Sequence, residues 1–396
     1  MKKSISILGS TGSVGRNALD VVDRFPGKFN IYGLACRSDI KSLLRQIRKY
    51  RPKAVAVLDR SKADEIKCLT RKAGTKVYSG VDGLAKICST DDVDLIVGAL
   101  AGTDSLFPFL EAVKKGKDLA LANKEVIVAF GSVLMKEARK KKVKVIPVDS
   151  ELSAIFQCLC ANDTREVEKI ILTASGGPFY NLSRDKLKRV TADDAVRHPV
   201  WKMGKKISVD SATMMNKGLE IIETSNFFDI PADKIEVLIH PQAMVHSIVT
   251  FVDGASLAQL AVPDMRIPIQ YALFFPRRIR SSFPPLKLTG RGGLQFFKPR
   301  TGLFPCLKYA RTALEEGGCM PAVMSSGDEV AVDAFLNGEI GFTDIPRVIR
   351  LTMDGYQRKG RNPAGLSNLI KAAGWAGKKA AEITSRIKRQ KEIPPK

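Results

Sequence analysis

Little in this 396-residue chain is both long and uninterruptedly apolar. The longest candidate, Val126 to Met135, is broken by Gly131 and reaches only about half the roughly 20 residues that a spanning helix needs. No membrane partner is therefore expected. Cysteine is sparse and scattered: Cys36, Cys68, Cys88, Cys158, Cys160, Cys306 and Cys319 are odd in number. Only Cys158 and Cys160 stand close, and no second pair or neighbouring histidine completes a zinc set. The sulfur pattern is that of reduced core thiols in a cytoplasmic protein. A strand-like segment begins by Ser4, so no signal or transit peptide is expected. Aromatics make up only 7% of residues, which leaves few stacking platforms for single-stranded nucleic acid.

What is abundant is positive charge. The formal net charge is +23, yet it is unevenly spread: residues 1–148 carry 29 basic against 15 acidic groups, residues 149–355 carry 24 of each, and residues 356–396 carry 11 against 2. Such an excess raises a nucleic-acid reading. Its division between two separate segments favours a solvated surface that attracts anionic ligands, with no nucleic-acid partner. Hydrophobic content of 44% with 27% charged residues excludes wholesale disorder.

The first 150 residues alternate between short apolar strands and helical patterns. Ile5–Leu8, Ile31–Cys36, Ala54–Leu58, Leu95–Ala99, Asp118–Ala122 and Val143–Val148 read as strands, with helices at Asn17–Arg24, Ile40–Tyr50 and Leu106–Lys115. Continuous apolar strands in alternation with helices mean a parallel sheet covered on both faces. The middle region reads differently, with strands at Lys169–Thr173, Ile235–Ile239, Ser247–Val252 and Ser256–Val262. Asp253-Gly254 makes a hairpin turn between the last two. Phe275–Arg300, rich in Pro, Arg and Gly, reads as a linker. Phe304–Glu316, Ala322–Asn337, Ile345–Met353 and Ala364–Lys391 read as helices. The expected class is α/β: an N-terminal Rossmann-like parallel sheet over 1–148, an α+β central catalytic domain over 149–274, a linker over 275–300, and a C-terminal helical bundle with a basic tail over 301–396.

Gly9-Ser10-Thr11-Gly12-Ser13-Val14-Gly15 follows the first strand and opens the first helix. Glycines there permit a tight turn and bring backbone N–H groups and a helix N-terminus to a pyrophosphate; the alternative is a plain strand-to-helix turn. At the end of the second strand, where NAD enzymes usually place a carboxylate, stand Arg37 and Ser38, with Asp39 only after them. Arg37 and Ser38 suit the 2′-phosphate of NADP. Leu121-Ala122-Asn123-Lys124-Glu125 and Asp149-Ser150-Glu151 each follow a sheet strand, at the edge where ligands bind. If 149–151 is extended, its two carboxylates project to one side and, with a third oxygen donor, suit Mg²⁺ or Mn²⁺. A solvated carboxylate pair, and a bland Lys124–Glu125 ion pair, are the alternatives. Ser211, Asn216 and Lys217 bring hydroxyl, amide and ammonium donors that suit a phosphate, and Glu220 is a candidate third metal ligand. The alternative is a cap at Ser211 followed by an ordinary helix. Arg197 to Lys205, with His198, Pro199 and Trp201, reads either as a mobile lid over a ligand or as a surface loop with Trp201 turned inward.

Taken together, these stretches resemble the 1-deoxy-D-xylulose 5-phosphate reductoisomerase family. The resemblance rests on ILGSTGSVG (7–15), LANKE (121–125), PVDSE (147–151), SGGPF (175–179), HPVWKMGKKISVDSATMMNKGLE (198–220), EVLIHPQAMVHSIV (236–249), LAQL (257–260) and PDMRIP (263–268), in family order. It implies NADPH held by Thr11, Gly12, Ser13 and Val14, with Asn123 and Glu125 at its nicotinamide half and Gly204, in the lid, touching the cofactor. It implies a divalent metal held by Asp149, Glu151 and Glu220. It implies substrate held by Ser150, Ser175, His198, Ser211, Asn216 and Lys217, the last three mainly at its phosphate, with Glu151 and Glu220 also in the substrate-binding set. Lys124 lies near the reacting hydroxyls, Trp201 closes over the substrate, and Lys124, Asp149, Glu151, His198 and Glu220 form the catalytic set. The family reaction cleaves C3–C4 of the sugar phosphate, re-forms a branched aldehyde and reduces it with NADPH to 2-C-methyl-D-erythritol 4-phosphate. The family is dimeric, which makes a homodimer the expectation.

Three stretches depart from the family pattern. Glu151-Leu152-Ser153 stands where Glu-His-Asn is common, Arg37-Ser38-Asp39 where Gly-Lys-Asn is common, and Ser325-Ser326-Gly327-Asp328-Glu329 where Asn-Ala-Ala-Asn-Glu is common. Two other functions compete: an NADP-dependent dehydrogenase of another phosphorylated carbonyl compound, and a nucleic-acid-binding protein on an inactive reductase scaffold.

Overall fold

Seven parallel strands form the first sheet in the computed structural model, which describes residues 2–70, 74–201, 203–289, 292–357 and 363–392. They are β1 (Lys3–Leu8), β2 (Phe29–Cys36), β3 (Ala54–Val57), β4 (Lys76–Ser79), β5 (Leu95–Gly98), β6 (Asp118–Leu121) and β7 (Val145–Pro147). Their order is β4-β3-β2-β1-β5-β6-β7. The chain runs outward from β1 to β4, then returns to the other side of β1, so the order reverses between β1 and β5. At such a reversal the connecting helices diverge and leave a crevice at the carboxyl ends of the strands. The strands are apolar on both faces because helices cover both: Ile5, Ile7, Leu8, Val55, Val57, Ile96 and Val97 are all fully buried.

The chain divides into two units. The first comprises Met1–Val126, Leu134–Phe156 and Asp264–Leu286. Its core joins the sheet to the helices Ser13–Arg24 and Ile40–Tyr50 and to a late helix, Arg266–Phe274, which contributes Ile269, Ala272 and Leu273. β4 and the helices Arg60–Leu69 and Gly80–Cys88 are absent from the sequence-based reading. β4 is a four-residue edge strand with no fully buried position, so it lacks the apolar run that marks its neighbours.

The second unit comprises Ile127–Val133, Gln157–Pro263 and Lys287–Lys396. Its sheet contains β8 (Val167–Ala174), β9 (Ile235–Ile239), β10 (Val245–Phe251) and β11 (Ser256–Leu260), in the order β11-β10-β8-β9. β8 and β9 are parallel, and the other pairs are antiparallel. The expected hairpin at Asp253-Gly254 is present, with Gly254 at φ +87°. The four terminal helices are Cys306–Glu316, Met320–Leu336, Asp344–Gln357 and Leu366–Glu392. Helix Met215–Phe228 packs against the first of them so closely that a Cβ on Gly218 would lie 2.8 Å from that of Ala310.

The described residues of 275–300, which leave out 290 and 291, are largely without regular structure, and the two ends of the stretch belong to different units. Phe283 is buried in the core of the first unit, with the guanidinium groups of Arg24 and Arg266 4.7 and 4.5 Å from its ring centroid. Phe297 exchanges two backbone hydrogen bonds with Ile239 at the end of β9. Cys36, Cys88, Cys158, Cys306 and Cys319 are buried, but Cys68 and Cys160 are exposed, so the expectation of core thiols holds for five of seven. Among the described residues no helix is long and apolar enough to cross a membrane. The very end of the basic tail, residues 393–396, and Lys202 of the expected lid lie outside the described residues.

Candidate active site

In the first unit the polar residues cluster at the carboxyl end of the sheet. The turn after β1 is built on glycine from necessity. Gly9 has φ +83°, and a Cβ there would fall 2.4 Å from the Ala99 carbonyl oxygen. One on Gly15 would fall 2.2 Å from the Gly9 oxygen, so the helix can start hard against the strand. Gly12 caps helix Ser13–Arg24, whose first turn holds no acidic residue. Gly12 and Ser13 are exposed, and Thr11 and Val14 are half-buried. The result is a positive helix end with an open surface, suited to a pyrophosphate.

Arg37 and Ser38 are exposed just past the end of β2. Asp39 is spent otherwise: its carboxylate accepts the Ser42 N–H at 3.0 Å as the cap of the next helix. Burial works to raise the pKa of that carboxyl, but the hydrogen bonds from Ser42 outweigh it and hold it below its ordinary value. Arg37 carries a partner that local sequence does not signal. Its Nη2 donates to Asp104 Oδ2 at 3.0 Å and to the Ala101 oxygen at 3.1 Å.

Asn123 caps helix Lys124–Lys141 by accepting the Val126 N–H at 2.9 Å, and its amide donates to the oxygens of Gly102, at 2.8 Å, and Leu100. It is buried and positioned by the backbone on every side. Glu125 lies in the first turn of the same helix, also buried. Lys124 forms an ion pair with Asp149 at 2.8 Å, with only 6% of the lysine side chain exposed.

The 149–151 segment is not extended, contrary to the expectation from its spacing. Helix Ser150–Leu159 begins there, and the Asp149 oxygen accepts the Ser153 N–H at 2.8 Å. The two carboxylates still converge, with oxygens of Asp149 and Glu151 within 4.8 Å of each other, because Asp149 sits at the cap and Glu151 in the first turn. The Ser150 hydroxyl donates to Glu151. Two hard oxygen donors at a helix N-terminus, beside an ammonium group, form one side of a site suited to a divalent cation.

In the second unit, β8 ends at Ala174 and Ser175 follows at once. Its Oγ lies 2.9 Å from His198 Nε2. The backbone N–H groups of Val200 and Trp201 donate to His198 Nδ1 at 3.1 and 2.9 Å. Nδ1 therefore accepts, and Nε2 carries the ring proton toward Ser175. A Cβ on Gly177 would fall 2.6 Å from the Ser211 oxygen, so the loop after β8 lies against the turn carrying Ser211. Trp201 is half-buried, its ring centroid 6.2 Å from that of His246. Gly204 caps helix Lys205–Thr213 and is exposed.

Ser211 is not a cap followed by one ordinary helix. It lies inside helix Lys205–Thr213, which stops at Met214 in the left-handed region (φ +64°), and a second helix starts at Met215. This break sets Asn216 and Lys217 in the first turn of the second helix. Both reach Glu220: Asn216 Nδ2 to Oε1 at 2.6 Å, and Lys217 Nζ to Oε2 at 2.5 Å. Glu220 is fully buried and Lys217 nearly so.

A second buried charge cluster escaped the sequence-based reading. Lys206 Nζ lies 2.6 Å from Asp210 Oδ2 and 2.8 Å from Asp328 Oδ2, and the two carboxylates are 1% and 0% exposed. The i, i+4 pair was visible in sequence, but Asp328 lies 122 residues away. Burial and the charges of Asp328 and Asp210 push the nearby Cys306 thiol well above its ordinary pKa, which keeps it protonated and unreactive.

Three family models match the chain: one described as 1-deoxy-D-xylulose 5-phosphate reductoisomerase over residues 5–131, its C-terminal domain over 145–228, and a DXP reductoisomerase C-terminal domain over 260–379. The reductoisomerase of Prosthecochloris aestuarii is 46% identical over 96% of this chain and all of its own length. That of Heliobacterium modesticaldum is 47% identical over 96% of this chain and 97% of its own. A solved reductoisomerase in complex with NADPH, fosmidomycin and magnesium superposes with a TM-score of 0.93 at 36% identity, covering 99% of this chain and 100% of that one. The Zymomonas mobilis enzyme in complex with NADPH gives 0.90 at 36% identity, over 97% and 99%.

Proposed function

The chain belongs to the 1-deoxy-D-xylulose 5-phosphate reductoisomerase family, and from that premise we propose how its residues divide the family's reaction. That reaction is the NADPH- and divalent-metal-dependent rearrangement and reduction of 1-deoxy-D-xylulose 5-phosphate to 2-C-methyl-D-erythritol 4-phosphate, a step of non-mevalonate isoprenoid synthesis. The observation that carries it is identity of 46% across nearly the whole chain and the whole of a relative.

The glycine turn with Thr11, Gly12, Ser13 and Val14 receives the cofactor's pyrophosphate, and Arg37 and Ser38 its 2′-phosphate. Asn123 and Glu125 serve the nicotinamide half, and Gly204 in the lid touches the cofactor. Asp149, Glu151 and Glu220 hold Mg²⁺ or Mn²⁺; three carboxylates are a hard donor set that fits either ion. When bound, the ion supplies Lewis-acid stabilisation of negative charge at the substrate oxygens and NADPH supplies hydride. Ser211, Asn216 and Lys217 bind the substrate phosphate, which lies away from the changing bonds, so its binding energy serves orientation. Ser150 and Ser175 hold the substrate hydroxyls, and His198 Nε2–H donates beside Ser175. Lys124, buried against Asp149, holds or moves a proton at the reacting hydroxyls. Trp201 closes over the substrate and excludes water.

By function, residues 1–148 serve the cofactor, 149–274 the chemistry and dimer contact, 275–300 the connection and 301–396 a helical support. The assembly is a homodimer and its location cytoplasmic. The deciding experiment follows NADPH oxidation optically with 1-deoxy-D-xylulose 5-phosphate, with Mg²⁺ or Mn²⁺ and again with excess chelator. Oxidation that disappears with chelator and returns with metal is expected. Oxidation indifferent to chelator would transfer the chain to simple NADP-dependent dehydrogenases.

A further inference from the structure

Arg37 and Asp104 come together because β2 and β5 lie on either side of β1. Arg37 follows the end of β2, and Asp104 follows β5 after Gly102 turns the chain with φ +83°. The bridge between them therefore stands at the carboxyl end of the sheet, where the 2′ position of a dinucleotide's adenosine ribose is read.

The atoms in this bridge decide what it does. A guanidinium grips a phosphate best through two parallel N–H groups. It has two such edges, one formed by Nε and Nη2 and the other by Nη1 and Nη2, so Nη2 belongs to both. In this structure Nη2 spends its two hydrogens on Asp104 Oδ2, at 3.0 Å, and the Ala101 oxygen, at 3.1 Å. A two-point grip on phosphate by either edge must take Nη2 from one of these acceptors.

We infer that Asp104 is a specificity-determining residue: it competes with the 2′-phosphate of the cofactor for Arg37 and so weakens the preference of this chain for NADPH over NADH. The inference rests on the proposed role of Arg37. NADH has no 2′-phosphate and leaves the Arg37–Asp104 pair standing. NADPH takes Nη2 from Asp104 or from the Ala101 oxygen, and in either case the Asp104 carboxylate stands as a second negative charge beside the bound phosphate. Both side chains are well exposed, 54% and 40%, so water screens the pair and the effect is modest.

The test measures equilibrium binding of NADPH and of NADH to the full-length protein, without substrate, for wild type, Asp104→Ala, Arg37→Gln and the double variant. Asp104→Ala is expected to tighten NADPH about two- to fivefold and leave NADH unchanged. Arg37→Gln is expected to weaken NADPH about ten- to a hundredfold, and in that background most of the Asp104→Ala gain disappears, leaving the part due to charge repulsion alone. Asp104→Asn, which keeps an acceptor but loses the charge, falls between wild type and Asp104→Ala. Unchanged or weaker NADPH binding by Asp104→Ala, or equal tightening of NADH, overturns the competition while Arg37→Gln still reports on the arginine. An NADPH-to-NADH ratio unmoved by Arg37→Gln overturns the role of Arg37 itself, and the inference with it.

Discussion

Glu220 shows how much chemistry one carboxylate can concentrate. It is fully buried, and each oxygen accepts a hydrogen bond from the residues three and four positions before it. A buried carboxylate stays ionised only where cations and donors compensate its desolvation. Lys217 and Asn216 supply part of that, and a divalent ion held there would supply more. Glu220→Gln keeps the shape and removes the charge, as does Asp149→Asn at another of the proposed metal ligands. Each is expected to lower kcat by about two orders of magnitude or more, measured by NADPH oxidation at saturating metal. NADPH binding, followed by titration, should stay nearly intact; a matched loss of cofactor affinity would refute this assignment of metal ligands.

At the scale of elements, two charge clusters join segments distant in sequence. Lys206 fastens helix Lys205–Thr213, which carries Ser211, to helix Met320–Leu336 through Asp328. Removing one partner of a buried pair costs about 3–5 kcal/mol, because the other charge loses its compensation. Lys206→Met is therefore expected to lower thermal stability by that order, and Asp328→Asn in the same background should restore part of it. A purely additive double variant would mean that the pair is not coupled. The second cluster ties helix Ser13–Arg24 to helix Arg266–Phe274: Arg266 lies 2.9 Å from Asp20 and 2.6 Å from Asp264. Burial works to raise both carboxyls, but hydrogen bonds from Arg266, and at Asp20 also from Arg24, outweigh it and hold both below their ordinary pKa. A depressed folded-state pKa contributes stability that is present above the unfolded value, near 4, and is lost as pH falls through the folded one. Arg266→Met should accordingly lower the melting temperature at neutral pH, with the difference from wild type shrinking below about pH 4. A difference constant from pH 7 to pH 2 would show that packing over Phe283, rather than charge, is the cause.

At the scale of the whole molecule, β11 leaves one side of the second sheet open. It is the edge strand, its first three residues are exposed, and Leu257 and the hairpin residue Val252 are 46% and 64% accessible. An exposed apolar edge is a template for pairing with another chain. We propose that a homodimer forms through this edge, so sedimentation should give twice the 43.3 kDa chain mass, and Leu257→Lys should shift the equilibrium toward monomer. A monomeric wild type at micromolar concentration would refute the dimer. The +23 charge needs no nucleic acid to explain it, since an anionic substrate and cofactor both benefit from a positive field.

The amino-acid sequence by itself determined most of what is local. Strands buried on both faces read as apolar runs, and glycines at 9, 12 and 15 announced the turn they make. Asp253-Gly254 announced its hairpin, and the dense polar stretch 198–220 carried the family resemblance. These features were legible because the residues that cause them are neighbours. Tertiary structure alone decided the rest. That Asp149 caps a helix, that Met214 breaks one helix into two, and that residues 266–274 return to the first unit depends on packing that no window of sequence contains. The partners of Arg37 and Lys206 were equally hidden, since Asp104 and Asp328 lie 67 and 122 residues away. A side chain's hydrogen bonds are set by which strands and helices become neighbours, and local sequence pattern carries only the periodicity of each element, not the identity of what it will face.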